Sequence, residues 1–94
     1  MTLGHRIKQL RQEFELSQPE LADKIGIEQS YLSKLENDKA LPSKDIFAGI
    51  LTAFDISTGQ LLQPLMAEGL DAKLLQIGQI EQYYQQCKRS GMNQ

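Results

Sequence analysis

Ninety-four residues, 40% of them hydrophobic, are enough for one small domain with an extension and a modest core, and leave little room for an enclosed catalytic site. The sequence has neither a signal peptide nor a run of about 18 apolar residues able to span a bilayer, so the expected location is cytoplasmic. A formal net charge of −2 excludes a broadly basic surface, and a single cysteine, Cys87, excludes an internal disulfide or a thiolate zinc cluster.

A first helix is predicted from about Leu3 to Phe14, capped by Thr2, with Leu3, Ile7, Leu10 and Phe14 forming a buried stripe at helical spacing. Ser17 and Glu20 have the spacing of a capping box, in which each side chain satisfies a free backbone N–H of the other; Pro19 is tolerated because first-turn amides lack intrahelical partners. A second helix therefore starts at about Gln18, is stapled by Leu16 and Leu21, and turns Leu21, Ala22 and Ile25 inward. Gly26 stops it, since glycine takes the left-handed conformation without a steric penalty. A third helix, from about Gln29 to Asn37, is stapled by Ile27 and Leu32 and buries Leu32 and Leu35. Gln29, Ser30, Ser33, Lys34 and Asn37 then face outward.

The fourth helix begins after Ser43 and buries Ile46, Phe47, Ile50, Leu51 and Phe54, with a turn at Asp55 and Ile56. Ser57 and Gln60 form a second capping box for a fifth helix, whose Leu61 and Leu62 close the core before Pro64. Asp71 caps a sixth helix, with Leu70 and Leu75 as its staple, running to about Arg89, where Ser90 and Gly91 mark the stop. Its Leu74, Ile77, Ile80, Tyr84 and Cys87 share one face with Tyr83 beside it, while Gln76, Gln79, Gln82 and Gln86 keep another face polar. The expected fold is all-α, with a five-helix domain over residues 1–64 and a helical extension over 65–94.

Two short helices bent about Gly26, with the small Ala22 where they cross, have one dominant use: placing the second of them in the major groove of DNA. The stretch resembles the Cro and phage-repressor family of helix-turn-helix proteins, the XRE type. The resemblance rests on Gln18 opening the second helix, Ala22, Gly26, Leu32 and Leu35, and the Leu-Glu-Asn run at 35–37, and it extends from about Leu3 to Leu62. It implies a lambda-repressor-like bundle of five helices, a third helix that reads bases, and flanking amides that grip phosphates. It also implies an ion pair between Arg11 and Glu36. One departure is Glu28, which stands where Ser or Thr is the usual cap and brings a carboxylate close to the DNA.

On this reading the partner is double-stranded DNA. Gln29 matches the family's base-reading glutamine and has the groups for a bidentate bond to adenine. Ser30 and Ser33 offer adaptable contacts, Lys34 reaches guanine or a phosphate, and Glu28 either accepts from a cytosine amino group or repels wrong sequences. Gln18, Asn37, Lys39 and Lys44 are the phosphate candidates. Tyr31 is left between packing on the second helix and touching the DNA backbone. Residues 1–44 carry seven Lys or Arg and seven Asp or Glu, so affinity must come from charge placement and from pairing two modules.

The apolar stripe of the sixth helix, Leu74, Ile77, Ile80, Tyr84 and Cys87, has to be covered either by its own domain or by a second subunit; a homodimer reading half-sites one helical turn apart is the expectation. The C-terminal run Gly-Met-Asn-Gln leaves open a piece of a longer protein, with that helix as a connector. No cofactor, metal or small-molecule ligand is expected. The one histidine, His5, has no partner at catalytic or metal-ligating spacing, and no phosphate-cradling loop occurs, which argues against an enzyme. The rival function is protein interaction, as in an antitoxin or anti-regulator whose main ligand is another protein.

Overall fold

The computed structural model describes residues 1–92. Six α-helices follow one another: α1 Leu3–Glu13, α2 Gln18–Ile25, α3 Gln29–Glu36, α4 Lys44–Phe54, α5 Thr58–Glu68 and α6 Gly78–Met92, with a short 3₁₀ helix, Ala72–Gln76, before the last. No strand occurs among the described residues.

The helix starts are determined locally. Thr2, Ser17, Ser43 and Ser57 each accept from a backbone amide in the first turn of the helix they cap. Ser17–Glu20 and Ser57–Gln60 close reciprocal boxes, as their spacing predicts, and each such cap stabilises its helix by about 1 kcal/mol. At α3 the side chain of Glu28 makes no capping bond. Gly26 ends α2 in the left-handed region at φ 85°, and its amide and that of Ile27 both donate to the Ala22 carbonyl.

Helix α1 lies against α3 and α5, α2 against α3 and α4, and α5 against α6. Leu3, Ile7 and Leu10 of α1 meet Leu21 and Ala22 of α2, Leu32 of α3, and Phe47, Ile50 and Phe54 of α4 in one buried cluster. The start of α1 is pressed onto the end of α3: a Cβ on Gly4 would stand 2.4 Å from the Leu35 carbonyl oxygen and 2.7 Å from that of Glu36. Asp38, just past α3, fixes the same junction. Its carboxylate accepts from the Gly4 amide at 3.0 Å and from the Thr2 hydroxyl at 2.6 Å.

Several expectations are corrected. Phe14 does not complete the buried stripe; α1 ends at Glu13, the helical register is lost at its cap, and the Phe14 ring, 48% exposed, meets Phe54 edge-on with centroids 5.0 Å apart. Ile46 and Leu51 of α4 are half-covered and pack against the core from its margin. Leu61 and Leu62 do not close the core before Pro64: α5 continues through the proline to Glu68 and buries Leu65 as well. Proline has no N–H, so the Gln60 carbonyl loses its helical donor. Arg6 replaces that donor, with Nη2 donating to the Gln60 oxygen at 2.9 Å and Nε to the Leu61 oxygen at 2.9 Å.

The predicted sixth helix is two pieces. Asp71 caps the 3₁₀ segment, accepting from the Lys73 amide at 3.1 Å. Ile77 is extended at φ −83°, ψ 114°, and α6 then runs from Gly78 through Ser90 and Gly91 to Met92. A glycine inside a helix costs about 1 kcal/mol relative to alanine, which favours a break beside Gly78. The break lets Leu74, Ile77 and Ile80 enter the same core as Leu61, Leu62 and Leu65, so that core runs across the expected boundary at residue 64.

Candidate nucleic-acid interface

Leu21 and Ala22 on α2 and Leu32 and Leu35 on α3 are buried, which fixes the angle between the two helices and leaves one side of α3 outside. On that side Gln29, Ser30 and Lys34 are exposed and Ser33 is half-buried, with Glu28 exposed at the leading end. Tyr31 is half-buried, and its hydroxyl donates to the Leu41 carbonyl at 3.4 Å. Its polar end is therefore tied to the loop after α3.

A chain of hydrogen bonds leads from α1 to this outer face. Arg11 Nε donates to Glu36 Oε2 at 2.7 Å, Nη2 to Oε1 at 3.1 Å, and Nη1 to the Leu16 carbonyl at 2.9 Å. The two side chains are 12% and 2% exposed, so either charge without the other would be left desolvated, at a cost of several kcal/mol. Glu36 Oε1 also accepts from Gln18 Nε2 at 3.1 Å, and Gln18 Oε1 accepts from Gln29 Nε2 at 3.4 Å. A carboxamide has two N–H donors and a carbonyl acceptor. Gln29 thus keeps one N–H and its oxygen for a ligand, the pair that matches the N7 and N6 edge of adenine.

The phosphate candidates lie at both ends of this face. Gln18 opens α2, where the first-turn amide has no intrahelical carbonyl to bond. The carboxyl of Glu20 in the same turn is held below its ordinary range, mainly by the Ser17 backbone amide and secondarily by the Ser17 hydroxyl. Asn37 folds back on α3, Nδ2 donating to the Ser33 carbonyl at 2.8 Å. Lys39 and Lys44 are exposed past the end of α3. The Lys44 carbonyl accepts from Gln79 Nε2 at 2.9 Å, joining α6 to this edge.

The stripe expected to face a second subunit divides. Leu74, Ile77 and Ile80 are buried in the chain's own core, a correction that follows from the break at Ile77. Tyr84 and Cys87 are half-buried. Tyr83 beside them lies over α5, a ring carbon 3.0 Å from where a Cβ on Gly59 would stand. A hydrogen bond with Cys87 is the main reason its phenol is held above the ordinary range, burial adding to it.

Sequence reasoning missed the Gln18–Glu36 bond, the Arg6 clamp and the Asp38 bonds to Thr2 and Gly4. The first had a signal in the buried acid of the Leu-Glu-Asn run, which needs a neutral donor beside its arginine. Among the described residues no group of three or more His, Cys, Asp or Glu is arranged to hold a metal. Among the same described residues no helix is long and apolar enough to cross a membrane.

A helical pair hinged at a left-handed glycine, with a polar outer helix oriented from beneath, defines a helix-turn-helix protein. The helix-turn-helix family model matches residues 7–61, and the chain belongs to that family, in its Cro and phage-repressor branch. It is 36% identical over 62 residues to the immunity repressor protein of Bacillus phage phi105, covering 66% of this chain and 43% of that one. It is 37% identical over 73 residues to the transcriptional regulator SinR of Bacillus subtilis (strain 168), covering 77% and 66%. The chain spans between 43% and 66% of the length of these curated relatives. A chain of the SinR protein/SinI protein complex superposes with a TM-score of 0.60 at 28% identity, covering 95% of this chain and 99% of that one.

Proposed function

We propose that the chain is a sequence-specific, DNA-binding transcriptional regulator, a repressor by kinship, that inserts α3 into the major groove. The observation that carries this reading is the Gln29 carboxamide, held at the start of an exposed helix by Gln18, Glu36 and Arg11 and left with a free donor and acceptor. The relatives named as an immunity repressor and a transcriptional regulator support it. Gln29 reads adenine, Ser30, Ser33 and Lys34 contact neighbouring bases, and Glu28 discriminates against sequences that put acceptors near it. The Gln18 amide, Asn37, Lys39 and Lys44 hold the phosphates that flank the groove. Such a ligand puts the working protein in the cytoplasm.

One module contacts too few bases for high affinity, so the regulator acts as a homodimer. With Leu74, Ile77 and Ile80 spent on the chain's own core, the contact falls to the later turns of α6, where Tyr84 and Cys87 lie. Selection of bound duplexes from a random pool tests the reading. A palindromic consensus with half-sites roughly 34 Å apart is expected, and a pool that enriches nothing would refute it.

The second reading, a module whose main ligand is a protein, draws on the similar chain having been solved in a complex with another protein. Light scattering with and without duplex separates the two. A homodimer that takes up DNA favours the regulator, and a monomer that shifts no DNA favours the protein partner.

A further inference from the structure

Thr2, His5, Lys8 and Gln12 follow one another along α1 at spacings of three, three and four, and so share a face. That face is opposite the buried Leu3, Ile7 and Leu10. With the end of α3 it lines a polar groove of about 540 Å³. The contact of Gly4 with the Leu35 and Glu36 carbonyls makes the groove a direct continuation of the α3 surface.

The two acids in the groove are already satisfied. Glu36 is bonded to Arg11 and Gln18, and Asp38 to the Gly4 amide and the Thr2 hydroxyl. Its basic groups are not: His5 and Lys8 are exposed, and no ion pair among the described residues involves either. The Glu36 charge is paired with Arg11, while Asp38, bonded only to neutral groups, keeps its charge; what the groove offers an anion is the Lys8 ammonium on its α1 wall, with the donors of His5 and Gln12 beside it. The groove opens at the end of the helix assigned to the major groove, and a phosphate strand borders that major groove on each side.

We propose that this groove is a further phosphate site, in which Lys8, with His5 and Gln12 beside it, takes a backbone phosphodiester of the bound DNA beyond those contacted by the helix-turn-helix itself. The inference rests on the DNA-binding reading above. It lengthens the footprint along one strand and gives α1 a part in binding as well as in the core. Because the contact is made to phosphate alone, it adds affinity without sequence preference.

The test is the salt dependence of binding to a random-sequence duplex, measured for the full chain and for Lys8→Gln, Lys8→Arg, Lys39→Gln and Lys73→Gln. The expected result is a log K against log salt slope about 0.9 shallower for Lys8→Gln, a slope kept by Lys8→Arg, and no change for Lys73→Gln, whose ammonium is already paired with Asp71 at 3.7 Å. In the unsubstituted chain, NMR amide shifts at His5, Lys8 and Gln12 move on adding the duplex. An unchanged slope in Lys8→Gln while Lys39→Gln is shallower would overturn this inference and leave the DNA-binding reading standing. No duplex binding by the unsubstituted chain would remove both. Tight binding of inorganic phosphate at His5 and Lys8, with duplex slopes unaffected by Lys8→Gln, would assign the groove to a free anion and overturn the proposal.

Discussion

At the scale of single residues, two positions beside the bend carry opposite conformational burdens. Gly26 is left-handed at φ 85°, yet a Cβ there would meet nothing within 4 Å, so Gly26→Ala costs only the backbone penalty, about 1–2 kcal/mol. Thermal melting should register a drop of several degrees; an unchanged midpoint would mean the turn re-forms without a left-handed residue. Glu28 is the converse case. It stands in extended geometry at a helix start without capping α3, so Glu28→Ser should gain about 0.5–1 kcal/mol from the new side-chain bond. Because a carboxylate also leaves the DNA face, the same substitution should tighten binding to random duplex. Stability that rises while affinity falls would mean Glu28 itself touches the bases. Both positions were legible in the sequence, Gly26 as a stop from its own conformational freedom and Glu28 as a departure from the cap usual in the family that the stretch resembles.

Among the elements, legibility follows the range of the interaction. The starts of α1, α2, α4 and α5 were readable because a cap lies within three residues of the amide it serves. The passage of α5 through Pro64 was not, since the group that makes it tolerable is Arg6, more than fifty residues away. The break before α6 was half-visible: Gly78 disfavours a continuous helix, but the gain from burying Leu74, Ile77 and Ile80 together depends on a core no local pattern reveals. The Arg6 clamp predicts a coupling. Arg6→Met should destabilise by about 1–3 kcal/mol, the cost of unpaired carbonyls, whereas in a Pro64→Ala background the loss should be smaller because an amide returns to Gln60. Equal losses in the two backgrounds, read by urea unfolding, would detach Arg6 from the proline.

Taken as a whole, the molecule has one core that draws on both halves of the chain. Ile80 has no exposed surface, and Ile80→Ala should cost about 2–5 kcal/mol, lowering the melting midpoint while the oligomeric state of the folded protein, read by light scattering, stays that of the unsubstituted chain. A stripe that served only a second subunit would instead give a folded chain whose dimer dissociates on the same substitution. The sequence placed these residues on one face correctly, but whether that face meets its own chain or another is decided by a backbone turn at Ile77 that periodicity alone does not contain. The same limit applies to the interface. The outward side of α3 follows from which of its leucines are apolar, while the Gln18–Glu36 bond that aims Gln29 needs α1, α2 and α3 in place at once.

That oriented carboxamide is the point on which the assignment turns, and comparing Gln29→Ala with the unsubstituted chain on an enriched duplex and on a scrambled one addresses it directly. Base reading through Gln29 predicts a loss of about 1–3 kcal/mol on the enriched duplex, with almost none on the scrambled one. Losses of the same size on both would mean that α3 holds the DNA without reading it.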